Sequence, residues 1–382
     1  MKLAAHAKVL NLTQPVIGRV TTRPTEDRVC RRDEIFLSPN GQAPPELTGF
    51  AAWLLPNSEE GVREASVPAA WGVPELGYLA DGDVVAIAPN GWTRVLYRRS
   101  SPHNTILMTE QCNSYCLMCS QPPKPVDDQN RITEHLRLVE LIDADTAELG
   151  ITGGEPTLFK DDFIRLLINI REKLPRTALH VLTNGRMFYY RRFAQRVASV
   201  GHPDLMLGIP LYSDVDFEHD YIVQAAGAFE ETVLGLHHLA RYDVPVEIRV
   251  VLHRQTIPRL VRLAEFIARN LPFAAHVALM GLEMFGFVHK NLEEVWIDPY
   301  DYRQTLREAV DTLVAGGMNV SIYNHQLCIL PRELWRYARQ SISDWKNVYL
   351  DECAPCGARS RCGGFFQSGV KRHSRHIRAI EM

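Results

Sequence analysis

The chain carries little net charge. Its 42 Lys and Arg against 45 Asp and Glu leave −3 over 382 residues, too weak a field to hold nucleic acid or an anionic lipid surface, and neither is expected as a partner. Long apolar runs are missing as well. The longest, around Phe273 to Val288, is broken by His276 and Glu283, and Met1-Lys2-Leu3-Ala4-Ala5-His6 has no continuous apolar core of the signal-peptide kind. A cytoplasmic location without a membrane partner is the expectation. Cysteine is scarce, with 8 residues, and all but Cys30 fall in two clusters, unlike the scattered frame of a disulfide-stapled protein. Cys30 reads as a plain thiol. At 46% hydrophobic, the chain can bury a full core in two or three domains.

The first cluster is Cys112-x3-Cys116-x2-Cys119. Chance spacing of this kind has a probability on the order of 4 in 10,000 per cysteine. Three thiolates on one loop can hold three irons of a cubane and leave the fourth free to chelate a small molecule. The second cluster, Cys328 followed by Cys353-x2-Cys356-x5-Cys362, has enough thiolates to ligate a whole 4Fe-4S cluster, or a tetrahedral zinc. A zinc site drawn from Cys116-x2-Cys119 and Cys353-x2-Cys356 is also conceivable, but it leaves Cys112, Cys328 and Cys362 without a task.

Between the two clusters, short apolar runs at 104–109, 148–152, 179–183, 205–210, 246–252 and 276–280 alternate with amphipathic stretches, including helices over 229–240 and 257–268. This is an α/β pattern, and six units predict a partial (β/α)6 barrel of the TIM type. Ligands of such sheets bind at the carboxyl ends of the strands. The Cys triplet follows strand one, Gly153-Gly154-Glu155-Pro156 strand two, Thr183-Asn184-Gly185 ends strand three, and Tyr212-Ser213-Asp214 follows strand four. All four are therefore expected at one mouth.

Together these motifs resemble the radical S-adenosylmethionine (SAM) superfamily. The resemblance implies a 4Fe-4S cluster on Cys112, Cys116 and Cys119 whose open iron binds SAM and cleaves it reductively to a 5′-deoxyadenosyl radical. It further implies that Gly153, Gly154, Glu155 and Pro156 contact the SAM amino group, that Met118 packs on adenine, that Ser213 touches the ribose or carboxylate, and that Arg249 meets the carboxylate. An ion-paired strand arginine is the other reading of Arg249. The C-terminal cysteines resemble the reduced "twitch" form of the SPASM extension, which implies an auxiliary 4Fe-4S cluster on Cys328, Cys353, Cys356 and Cys362. Overall likeness points to the radical SAM maturases of His-Xaa-Ser peptide systems, the HxsC type. That branch implies a ribosomally made His-Xaa-Ser precursor peptide as substrate, an external one-electron donor, and a second radical SAM maturase as a possible partner. An enzyme acting on another protein, as sulfatase maturases do, or on a small metabolite is the first alternative. A non-catalytic zinc or Fe–S scaffold is the second.

The expected division is 1–100, 101–315 for the barrel and 316–382 for the auxiliary-cluster region. Residues 77–97 read as a hairpin about Pro89-Asn90-Gly91 in a small β-containing module that binds the precursor or serves as a lid. Pro44-Pro45 and Pro68 exclude a long helix there. Tyr212, Asp214, His253 and Glu283 are expected to line the cavity as positioning groups. The tail Lys371-Arg372-His373-Ser374-Arg375-His376 reads as a solvated terminus or as a contact for an acidic leader.

Overall fold

The computed structural model describes residues 2–23, 30–38, 49–56, 67–340 and 348–381. Two compact units account for them, one built from 1–106, 129–150 and 165–178, the other from 107–128, 151–164 and 179–382. Among the described residues no helix is long and apolar enough to cross a membrane.

The first unit holds eight strands: β1 (Ala4–His6), β2 (Lys8–Leu10), β3 (Val16–Thr21), β4 (Glu34–Leu37), β5 (Ala52–Leu55), β6 (Ala69–Trp71), β7 (Val84–Ile87) and β8 (Trp92–Tyr97). They form one sheet in the order β1-β8-β7-β3-β4-β5-β6-β2. Its two outermost strands are successive halves of one stretch hinged at Ala7. β1 pairs with β8, and β2 pairs with β6, so a single segment covers both edges that would otherwise offer unpaired backbone. Val20, Ile35, Leu54, Val85 and Ile87 are almost fully buried in the core they share.

The expected hairpin is present as β7 and β8. Ala88 N–H donates to the Trp92 carbonyl at 3.0 Å, and the Asn90 side chain accepts from Trp92 N–H at 3.0 Å. The other six strands escape a sequence reading because most are only three or four residues long, too short for alternation to register. Pro68 directly precedes β6, while Pro44-Pro45 lies outside the described residues. Helix α1 (Arg131–Leu141) belongs to the same unit; Arg94 pairs with Glu134, and Arg19 caps the helix by donating to the Leu141 carbonyl at 2.8 Å.

Strands β9 (Asn104–Leu107), β10 (Glu148–Thr152), β11 (Ala178–Leu182), β12 (Leu205–Pro210), β13 (Val246–Leu252), β14 (His276–Gly281) and β15 (Val320–Tyr323) form a second sheet in sequential order. The pairs from β11 to β15 are parallel. Helices α2 (Asp161–Lys173), α3 (Arg191–Ser199), α4 (Asp216–Val223), α5 (Ala228–Arg241), α6 (Leu260–Asn270), α7 (Leu292–Val295) and α8 (Arg303–Ala315) lie between them in sequence. The six expected strands are all found, within two residues of their expected ends. The seventh, β15, is added after the six expected strand–helix units. It is four residues long, and among the described residues no α-helix follows it.

One face of this sheet is apolar and fully buried, with Val181, Leu207, Ile209, Ile248, Val250, Val277 and Ile322 almost inaccessible. The alternate positions His180, Glu247, Arg249, His276 and Ser321 are polar, as period-two geometry requires of a sheet with unlike faces.

Closure of the first sheet depends on Gly91. Its φ is +85°, and a Cβ there would stand 2.0 Å from the Ala7 carbonyl oxygen. Gly91→Ala is therefore expected to destabilise the first unit by about 2 kcal/mol or more, read as a lowered midpoint in thermal denaturation followed by circular dichroism.

Candidate metal centre

The Cys triplet lies on the loop that leaves β9. Its neck is braced by Asp128, which accepts from the Thr109 hydroxyl at 2.8 Å and from Glu110 N–H at 2.8 Å. Beyond the neck the loop is hydrogen-bonded to two other segments of the unit. Tyr115 and Leu117 N–H donate to the carbonyls of Val223 and Ile222 at the end of α4, at 3.0 and 2.9 Å. On the far side, Phe287 N–H donates to the Cys119 carbonyl at 2.8 Å and the Asn291 amide to the Leu117 carbonyl at 2.8 Å. Gly286 makes the second contact possible, since a Cβ there would meet the Cys119 oxygen at 2.2 Å.

The turn after β10 packs backbone to backbone on the same loop. Gly154 and Glu155 N–H donate to the carbonyls of Thr109 and Gln111, each at 2.8 Å. A Cβ on Gly154 would lie 2.0 Å from the Gln111 oxygen, so only glycine permits this approach. Pro156 opens a short 3₁₀ turn, Pro156–Phe159.

Glu155 is completely buried. Its Oε1 accepts from Thr157 N–H at 2.9 Å, the Thr157 hydroxyl at 2.6 Å and the Thr183 hydroxyl at 2.7 Å, and its Oε2 accepts from Asn184 N–H at 2.6 Å. Burial pushes its pKa up against the pull of these donors. The carboxylate thus ties the end of β10 to the end of β11. From there Asn184 donates to the Asn113 side chain at 2.6 Å, and Arg186, paired with Glu231 at 2.5 Å, donates to the Asn113 carbonyl at 2.6 Å. Asn113, Asp128, Arg186 and Gly286 carry no motif a sequence reading could have caught.

The thiols themselves are part-buried and unbridged. Burial, then the Glu155 carboxylate, pushes Cys112 up to about 12. Burial raises Cys116 as well, with Cys119 and Cys112 adding to the effect, and burial raises Cys119. The three therefore share one electrostatic environment, and thiols so protonated release protons when a cation binds. Among the described residues, no group of three His, Cys, Asp or Glu side chains is gathered about a single ion position.

The remaining predicted residues are distributed unevenly. Met118 is buried in an apolar cluster with Leu117, Tyr212, Met284 and Val288, against which Cys116 packs. Burial raises the Tyr212 hydroxyl well above its usual range, and Cys116 and Cys119 raise it further, which puts its ring beside the triplet. Ser213 is buried, donates to Glu218 at 2.8 Å and accepts from Val215 N–H at 3.2 Å; these contacts brace the start of α4. Asp214 is held by a two-pronged ion pair to Arg259 at 2.8 and 2.6 Å. Arg249 pairs with Glu247 at 2.5 Å. Burial alone would raise Glu247, but the 2.7 Å hydrogen bond to His276 and then Arg249 outweigh it and hold its carboxyl at about 2.

The second cysteine set shares one cavity, though among the described residues it too is not gathered about a single ion position. Cys328, Cys353, Cys356 and Cys362 line it together with Tyr349 and Ile380. Backbone N–H groups of Leu327 and Ile380 approach Cys362 and Cys356 sulfur at 3.5 and 3.4 Å. Burial raises Cys328 and Cys353, and both are raised further by Cys362. Such mutually interacting thiols with N–H groups directed at sulfur are a donor set suited to a cluster or to zinc. The C-terminal tail is part solvated and part packed: Lys371, Arg372 and Arg375 are exposed, Ser374 is buried, and His376 stacks on Tyr300 at 3.8 Å.

Residues 106–267 match the family model described as the radical SAM superfamily. No curated protein matches the chain. Similar solved structures include SuiB of Streptococcus suis bound to S-adenosylmethionine, at 16% identity over 58% of this chain and 50% of that one, with a TM-score of 0.44. Native anSMEcpe with bound AdoMet is similar at 16% identity over 57% of this chain and 62% of that one, with a TM-score of 0.42. Coproporphyrinogen III oxidase (HemN) from Escherichia coli has 14% identity over 56% of this chain and 52% of that one, with a TM-score of 0.45. The chain thus spans about half the length of SuiB.

Three buried histidines beside these sites stay neutral. Burial holds His219 down to about 4, His253 to about 3 and His325 to about 4. Unfolded, each titrates near 6.5. As pH falls below that value the unfolded chain takes up protons the native state refuses, so stability is full above about 6.5 and drains toward pH 4. Between pH 7 and 5 the loss is expected to be about 2 kcal/mol per histidine. His253→Gln should reduce it by that amount in urea unfolding at the two pH values; an unchanged pH dependence would contradict the assignment.

Proposed function

We propose that the chain is a radical SAM enzyme that modifies a ribosomally made peptide of the His-Xaa-Ser type. The observation that carries this reading is the Cys112, Cys116 and Cys119 loop clamped by the Gly153-Gly154-Glu155 turn, inside the segment that matches the radical SAM superfamily model. Cys112, Cys116 and Cys119 would hold a 4Fe-4S cluster with one iron left for SAM. Bound there, cluster and SAM supply a 5′-deoxyadenosyl radical able to remove hydrogen from an unactivated carbon.

The chain's own residues have definite tasks in this scheme. Gly153, Gly154 and Pro156 shape the surface that meets the SAM amino group. Glu155, with four of its hydrogen-bonding positions already taken, acts as a positioning residue through Thr183 and Asn184. Met118, with Leu117, Tyr212 and Met284, offers an apolar wall to adenine and keeps water from the reacting carbon. Ser213 and Arg249 serve the ribose and carboxylate only by sharing them with Glu218 and Glu247. Cys328, Cys353, Cys356 and Cys362 would hold an auxiliary 4Fe-4S cluster. A one-electron donor and a second maturase are the proposed partners, and the cytoplasm the proposed location.

The test is iron and sulfide content with electron paramagnetic resonance of anaerobically reconstituted protein, with and without SAM. About eight irons, falling to about four in Cys112→Ala/Cys116→Ala/Cys119→Ala with loss of the SAM-dependent change, is the expected result. Zinc in place of iron, or a spectrum indifferent to SAM, would favour a scaffold. A His-Xaa-Ser peptide left unchanged in mass while SAM is consumed would point to another protein or a metabolite as substrate.

A further inference from the structure

The four-cysteine cavity shares a wall with a second cleft, to which Gln326, Gly364 and Phe365 also belong. Leu252, Gly281 and Asn324, at or just beyond the carboxyl ends of β13, β14 and β15, contribute one side of this cleft; the segment from Gly363 to Ser374 contributes the other. Trp296, Tyr302 and Phe366 supply aromatic surface between them.

Only two lining side chains are formally charged, and they are of opposite sign: Glu283, two residues past β14, and Arg372 in the C-terminal tail. Among the described residues neither has an ion-pair partner, and they do not pair with each other. Arg372 is nevertheless not loose, because its guanidinium lies over the Trp296 ring at 5.2 Å from the centroid. Three of the polar neighbours are already engaged. Asn324 donates to the Gly281 carbonyl at 3.2 Å, Gln326 to the Gly364 carbonyl at 2.7 Å, and His373 contacts the Val370 carbonyl through Nδ1 at 3.0 Å. What the cleft leaves for a ligand is therefore one carboxylate, one guanidinium, the Ser368 hydroxyl, which has no hydrogen-bond partner, and flat apolar surface. Such a set selects a partner that brings the complementary pair, since a ligand with neither charge would strip water from both groups without replacing it.

We propose that this cleft receives a peptide segment carrying one basic and one acidic side chain, the basic one set against Glu283 and the acidic one against Arg372. The proposal rests on the peptide-modifying reading and adds to it the property of the peptide that is recognised. Glu283 and Arg372 are specificity-determining residues in this account, and neither acts on the reacting atoms.

Four fluorescein-labelled octapeptides of Gly and Ser test it, carrying Lys and Asp, Lys and Asn, norleucine and Asp, or norleucine and Asn. Binding to the full chain is read by fluorescence anisotropy. The Lys and Asp peptide should bind tightest, with each charge worth about fivefold. Glu283→Gln should erase the preference for Lys over norleucine and keep that for Asp over Asn; Arg372→Gln should do the reverse. Glu283→Gln keeps the shape of the side chain, Arg372→Gln shortens it and removes its contact with Trp296, and unchanged melting temperatures would confirm that both variants fold. Equal affinity for all four peptides, or a variant that weakens all four alike, would overturn the proposal. SAM cleavage without peptide, measured on the same preparation, reports separately on the enzymatic reading. Its absence beside charge-selective binding would remove that reading alone, and cleavage beside indifferent binding would remove only the charge rule.

Discussion

The site depends on a close approach of backbone to backbone, where Gly153 and Gly154 lie against Thr109 to Gln111. Two N–H groups of the turn are spent on carbonyls of the cysteine loop, at a separation no side chain would allow. Because the turn is fixed in place by the buried Glu155 carboxylate, and that carboxylate by Thr183 and Asn184, the loop inherits its position from the ends of successive strands. A loop of 110–119 left to itself would pay heavily in conformational entropy to present three thiols together. Here that cost is met during folding.

A buried carboxylate with four donors also explains why the glutamate cannot be judged from its motif alone. From sequence, Glu155 looks like a group offered to a ligand. In the fold, most of its hydrogen-bonding capacity is turned inward, and its influence on a ligand runs through the strand ends it joins. Ser213 and Arg249 show the same pattern, each engaged by a nearby glutamate. Side chains that pair inside the protein are indistinguishable in a sequence from side chains that wait for a partner, because sequence proximity does not say whether two side chains turn toward each other. Glu247 and Arg249 meet because they are two apart on one face of β13.

Cysteine spacing and strand alternation were legible for a physical reason: both are local in sequence. The first six strands of the second sheet are each followed by a helix, which makes the alternation visible; among the described residues β15 is followed by no α-helix. The supports of the cysteine loop were illegible because they are long-range. Asn291 reaches Leu117 across 174 positions, and no local pattern announces such a contact. The C-terminal tail was legible in part: Lys371, Arg372 and Arg375 are exposed as their composition suggests, while Ser374 is buried and His376 stacks on an aromatic ring.

The stretch from Ala4 to Leu10 has a consequence for the order in which the first sheet can assemble. During synthesis it emerges before its partners β6 and β8, which follow only some sixty to ninety positions later. Until they appear, the segment has nothing to pair with, and the six strands between stay open at both edges. The last step in closing the sheet is therefore performed by residues made before the strands they cover. A topology of this kind has high contact order and folds slowly, and for that interval the nascent chain exposes two strand edges to any neighbour able to pair with them.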